Sequence, residues 1–273
     1  LLCRWPETDN FMSVFLLLTL ISIFNIIIRF FNSSARFNSS LTAFVPVVLY
    51  FYLANYFKRK KIALISSFIF SLLPQTVALG RIASPVNFQV FLFLLFLICF
   101  SYIRKISVRI GLFFLWFYIS FLTFRGFWFY HSYPQNSVYK LMENIFNLTS
   151  FNLLFFNNVT YYWGGVRENG ILYIALLPFF LIGLFTLIRS KTTNIISVTA
   201  VIFILTVMSP SYPESKEIFM AFPMLSAVTG RGFYELWHRN NLLNRLFTGF
   251  LILFLIYETA QFLHYYFIHF PLE

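Results

Sequence analysis

Long apolar runs with almost no charge inside them are the feature that most constrains this chain. Nine can be read, at 11–29, 41–57, 62–80, 87–103, 110–130, 171–188, 194–208, 217–237 and 246–268. A helix needs about 20 apolar residues to cross the hydrocarbon core of a bilayer, and these runs are of that order. Backbone N–H and C=O groups must be satisfied internally in lipid, so a spanning segment is a helix or a strand of a closed barrel. None of the runs has the short alternating pattern of a barrel strand. Composition agrees, with 59% hydrophobic residues, 22% aromatic residues and forty Phe. Only 11% of residues are charged, against roughly 25% in a soluble domain. A soluble globule, a disordered chain and a disulfide scaffold are thereby excluded, the last because Cys3 and Cys99 are the only cysteines. The expected fold is all-α. It is a polytopic helical membrane protein with a single transmembrane domain over 1–273, built from about eight spans plus one juxtamembrane helix.

Orientation follows from Lys and Arg in the short loops. Lys58, Arg59, Lys60 and Lys61 form the densest cluster, then come Arg104, Lys105 and Arg109, then Arg189 and Lys191, then Arg239 and Arg245. Every second loop is thus basic, and these four belong on the cytoplasmic side. The loops at 30–40, 81–86, 131–170 and 209–216 then face outward, together with the C-terminus. Loop 131–170 is the one long connection, rich in Asn, Tyr and Phe, and a long ordered loop on one face is a usual seat of binding or chemistry. Run 11–29 contains Asn25 and Arg29 and reads either as a span or as a helix along the surface. The chain opens on Leu1 with no signal-peptide pattern, so the expectation is a fragment lacking its N-terminus.

The net charge of +11 does not point to nucleic acid, because the basic residues are scattered between apolar runs. Several of them fall on the outer side despite the positive-inside bias: Arg29, Arg36, Arg81, Arg125, Lys140, Arg167 and Lys216. Cations held at headgroup depth suit a lipid phosphate; the plainer alternative is snorkelling to the interface. Outward acids that could act as a general base include Glu7 and Asp9, the latter the only Asp in the chain. Glu258 alone stands in the middle of a run, where an ionisable group is costly and has a partner or a function. His131, His238, His264 and His269 have no metal-ligand spacing, and no phosphate-binding glycine motif occurs.

Four stretches, taken in order, resemble the integral-membrane glycosyltransferases of the GT-C superfamily, in particular the bacterial group related to protein mannosyltransferases and aminoarabinose transferases. They are Ala35-Arg36-Phe37 with the run to Tyr56; Leu72-Leu73-Pro74 through Gly80-Arg81-Ile82-Ala83-Ser84-Pro85; Phe151 to Phe156 with Gly170-Ile171-Leu172-Tyr173 and Leu177 to Leu184; and Ile218 to Gly230 around Pro223. Together they cover about 30–235. The resemblance implies transfer of a sugar from a polyprenyl-phosphate donor to a lipid, glycan or protein acceptor at the outer face of the cytoplasmic membrane. It also makes 11–29 a juxtamembrane helix. Arg36, Arg81 and Arg125, backed by Lys140, Arg167 and Lys216, would hold the donor phosphate. Glu7 and Asp9 would stand in for the family's catalytic acid, although they lie outside its motif. Some relatives use a divalent metal, and no ligand set here indicates one. Membrane lipids are the other expected partners, and the acceptor is not readable. The competing readings are a multispan transporter or flippase of an anionic or glycolipid substrate, and a catalytically inactive scaffold of the same fold.

Overall fold

The computed structural model describes residues 37–81, 85–102, 142, 145–146, 150–156, 170–190, 195–196, 199–200, 202, 216–239 and 241–269. These are helical throughout their regular parts, with no strand among the described residues. Seven α-helices can be followed: α1 Phe37–Phe57, α2 Lys60–Leu72, α3 Pro74–Arg81, α4 Pro85–Tyr102, α5 Leu177–Arg189, α6 Phe222–His238 and α7 Leu242–His264. A 3₁₀ turn at Ile174–Leu176 leads into α5, another at Lys216–Ala221 leads into α6, and α7 continues as a wider turn over Tyr265–His269.

Helix α7 with its extension contains Leu242–Ile268, 27 residues long and the one stretch among the described residues apolar and long enough to cross a bilayer. At about 1.5 Å per residue such a helix exceeds a hydrocarbon core of about 30 Å. Its side chains are mostly uncovered by protein, with Leu242 at 73% exposure and Leu253 at 68%. Ala43–Phe57, Val90–Ser101 and Ile174–Arg189 are shorter apolar helices. Asn241 caps α7, its Oδ1 accepting from the Leu243 N–H at 3.2 Å, which satisfies one of the unpaired donors of a helix start.

Helices α1 and α2 form a tight antiparallel hairpin joined through Lys58 and Arg59. Lys58 makes the turn with φ 52°, in the left-handed region that L-residues enter at a cost. The run 62–80 is not one helix. Leu73 is extended, with ψ 136°, because the ring of Pro74 clashes with a helical residue before it. Pro74 then starts α3, where its missing N–H costs nothing.

Helix α6 is the centre of the packing, in contact with α2 on one side and α5 on another. It is small where it is crossed. A Cβ on Gly230 would overlap Ser66, one on Gly232 would overlap the Phe179 carbonyl oxygen, and one on Gly183 would overlap that of Val228. Backbones that approach this closely require glycine, the way helices associate where lipid supplies no hydrophobic drive. Around the crossing, Phe179 packs on Phe233 with ring centroids 5.0 Å apart.

Candidate functional site

Of the residues singled out by sequence, Glu7, Asp9, Arg36, Arg125, Lys140 and Arg167 lie outside the described residues. Arg81 is the last residue of α3 and Lys216 the first of the 3₁₀ turn before α6; their side chains also lie outside. The 216–221 turn packs on α4, and α4 begins four residues after Arg81.

A segment inside the expected outer loop is tied to the residues just after the loop. The Ile171 N–H donates to the Leu153 carbonyl at 3.3 Å and the Leu172 N–H to the Leu154 carbonyl at 2.7 Å. Gly170 sits so close to the Phe155 backbone that a Cβ there would overlap it, and the Phe155 ring packs against Phe180 of α5. Residues 150–156 and 170–172 are therefore held together backbone to backbone.

Glu258 finds its partners immediately beyond this contact. Its Oε1 accepts from the Ile174 N–H at 3.1 Å and its Oε2 from the Ala175 N–H at 2.8 Å. These donors belong to the first turn before α5, where N–H groups have no intrahelical acceptor and the helix dipole favours a negative charge. One carboxylate on α7 thus satisfies two backbone donors and is itself satisfied. The Tyr173 ring packs on Phe262 of α7 at 6.4 Å. The Tyr173 and Thr259 hydroxyls stand beside each other and beside Glu258, yet neither reaches hydrogen-bond geometry with any partner. The mid-run carboxylate was legible in the sequence. Its partners were not, because backbone N–H groups carry no residue signature.

A second polar group surrounds the α2–α3 break. Among the described residues nine buried ones are polar: Ser66, Ser67, Ser71, Gln75, Thr76, Thr199, Ser226, Thr229 and Thr248. Six of these donate to a carbonyl one turn back, as Ser66 does to Ile62 at 2.9 Å and Thr229 to Leu225 at 2.9 Å. This is how hydroxyls are accommodated inside helices. The other three are Ser67, Gln75 and Thr76, whose polar side-chain atoms have no partner. Both the nitrogen and the oxygen of the Gln75 amide are unpaired, although the residue is only 1% exposed. Sequence reading passed over Gln75, and the available signal was a lone amide following Pro74 within an apolar run.

The opposite ends of α2 and α6 carry charge. The Arg59 guanidinium lies 5.5 Å above the centroid of the Tyr234 ring, and Arg231 pairs with Glu235 one turn along. Tyr234 in turn stacks on His238. The basic turn at 58–59 and the last turn of α6 therefore share one end of the helix pair. Among the described residues no three His, Cys, Asp or Glu side chains gather into a metal site.

Comparison of the chain with protein-family models, with curated proteins and with solved structures returns no match.

Proposed function

We propose that this chain is a multispan membrane glycosyltransferase that takes a sugar from a polyprenyl-phosphate donor at the outer face of the cytoplasmic membrane. The proposal rests on the ordered resemblance to GT-C enzymes and on basic residues kept at outer ends of the runs. The structural observation that goes furthest with it is the packing on α4 of the turn that Lys216 begins. A membrane setting is supported by the exposed apolar surface of α7 and by glycine-mediated helix crossings. The finer architecture is about eight spans and a juxtamembrane helix at 11–29, with α1, α2–α3, α4, α5, α6 and α7 as six of the spans.

In this reading the donor's isoprenoid lies in the bilayer beside the helices. Its phosphate meets Arg81 and Lys216, with Arg36, Arg125, Lys140 and Arg167 contributing. Cations there neutralise charge that grows on the phosphate as the glycosidic bond breaks, which lowers the barrier most where water is excluded. A carboxylate, Asp9 or Glu7, takes the proton from the attacking acceptor hydroxyl. The backbone contact between 150–156 and 170–172 would steady that part of the outer loop.

The test is binding of polyprenyl phosphate to the purified chain in lipid nanodiscs. Loss of one charge-assisted Arg–phosphate contact is worth about 1.5–3 kcal/mol, so Arg81→Ala weakens binding about 10- to 100-fold. Sugar release from a radiolabelled polyprenyl-phosphate donor falls in parallel. Equal binding by wild type and Arg81→Ala would remove the phosphate site.

A second reading is a transporter of an anionic or glycolipid substrate. One observation favours it: α2 and α3 are a helix broken at Leu73, and discontinuous helices line transporter sites. Flux of substrate across a sealed vesicle without sugar release would select this reading.

A further inference from the structure

Ser67, Gln75 and Thr76 are the three buried polar residues that break the pattern followed by the other six, and they fall within ten residues across the α2–α3 break. An amide buried in an apolar interior with neither atom paired costs several kcal/mol on any transfer scale that lacks hydrogen bonding. Buried polar groups in folded proteins are paired with few exceptions, and an exception calls for an explanation, of which a bound group is one. All three side chains are uncharged, and each offers both a donor and an acceptor. Phosphate is bound through cations and donors, whereas neutral side chains of mixed donor and acceptor character match hydroxyl groups.

We propose that Ser67, Gln75 and Thr76 line a binding site for a neutral polyhydroxylated group, reached by displacement of the short helix α3. Leu73 supplies the joint: its extended backbone separates α3 from α2, and α3 lies against α1 and α2. The hydroxyls come from one of two sources, the glycosyl group of an isoprenoid-linked lipid or the glycerol headgroup of a bilayer lipid. Arg81 is the last residue of the same eight-residue helix that carries Gln75 and Thr76. The site does not depend on the transferase reading.

The experiment uses the full chain in nanodiscs and three probes: isoprenyl-phosphate hexose, sugar-free isoprenyl phosphate, and phosphatidylglycerol. Dissociation constants are read by native mass spectrometry for wild type, Gln75→Leu and Thr76→Val. Both substitutions keep side-chain volume and remove hydrogen-bonding atoms, and folding is checked by circular dichroism. The expected result is a weakening of at least about tenfold for a hydroxylated probe, the loss of one buried hydrogen-bonded pair, with the sugar-free phosphate unaffected. Weakening confined to the hexose probe assigns the site to the isoprenoid-linked sugar. Weakening confined to phosphatidylglycerol assigns it to a bilayer lipid and counts against the transferase reading while the site stands. Unchanged binding of both hydroxylated probes by folded variants overturns the proposal, as does failure of the wild-type chain to bind either.

Discussion

Glu258→Ala is the substitution whose consequence can be worked furthest from the structure. It removes the acceptor of the Ile174 and Ala175 N–H groups, at 3.1 and 2.8 Å, and leaves nothing in its place. A hydrogen bond to a charged group contributes about 1.5–3 kcal/mol, and an unsatisfied donor in an apolar setting costs a similar amount. Two bonds set an upper range of about 3–6 kcal/mol; because Glu258 is half-buried, the lower end of about 3 kcal/mol is the expected loss. Glu258→Gln keeps one acceptor oxygen and loses the charge, so its loss is about half as large. The assay is unfolding in mixed micelles by titration with dodecyl sulfate, followed by circular dichroism. Hydrogen exchange gives the local readout, because the 174–175 amides lose protection before those of α5. A Glu258→Ala chain within about 0.5 kcal/mol of wild type would refute the reasoning. So would a Gln variant as unstable as the Ala variant, since the argument ranks them by the acceptors they retain.

Other expectations follow from the helix contacts. Gly232→Val drives a branched side chain into the Phe179 carbonyl and destabilises by about 1–3 kcal/mol or more, read by the same titration; Gly249, with nothing near its Cβ position, tolerates Ala without loss. Lys58→Gly relieves the left-handed φ of 52° at the α1–α2 turn and changes stability by a gain of up to about 1 kcal/mol, whereas Lys58→Val loses about that much. Gln75→Leu raises the unfolding midpoint in the absence of ligand, because it replaces an unpaired buried amide by an apolar group of similar shape; a lowered midpoint would mean that the amide is satisfied in the folded chain.

Sequence patterning located the apolar segments well where the backbone is regular. Run 41–57 lies within α1, run 87–103 nearly coincides with α4, and run 246–268 lies within α7 and its extension. It was less informative where backbone geometry changes inside an apolar stretch. Run 62–80 is two helices, since hydropathy sums do not register the clash of Pro74 with a helical Leu73. Run 171–188 begins with non-helical residues, two of which bond to 153–154, and becomes α-helical only from Leu177. Glycine spacing did not disclose its use either: Gly170 serves close approach to the Phe155 backbone. At the polar sites, identity was legible and partnership was not. Glu258 stood out because a carboxylate in an apolar run needs an explanation, but its acceptor role is set by where α5 starts. Gln75 offered a signal as a lone amide after Pro74, but its lack of partners shows only beside the other buried polar groups, most of which are paired.

The functional account depends on which side of the membrane each turn faces. The most direct measurement is labelling of Lys60→Cys and Lys216→Cys, each in a chain whose Cys3 and Cys99 are replaced by Ser, with a membrane-impermeant maleimide on intact cells. The account predicts that position 216 is labelled at once and position 60 only after permeabilisation. Labelling of both positions without permeabilisation would place the basic turn and the expected phosphate site on one side, and would contradict it.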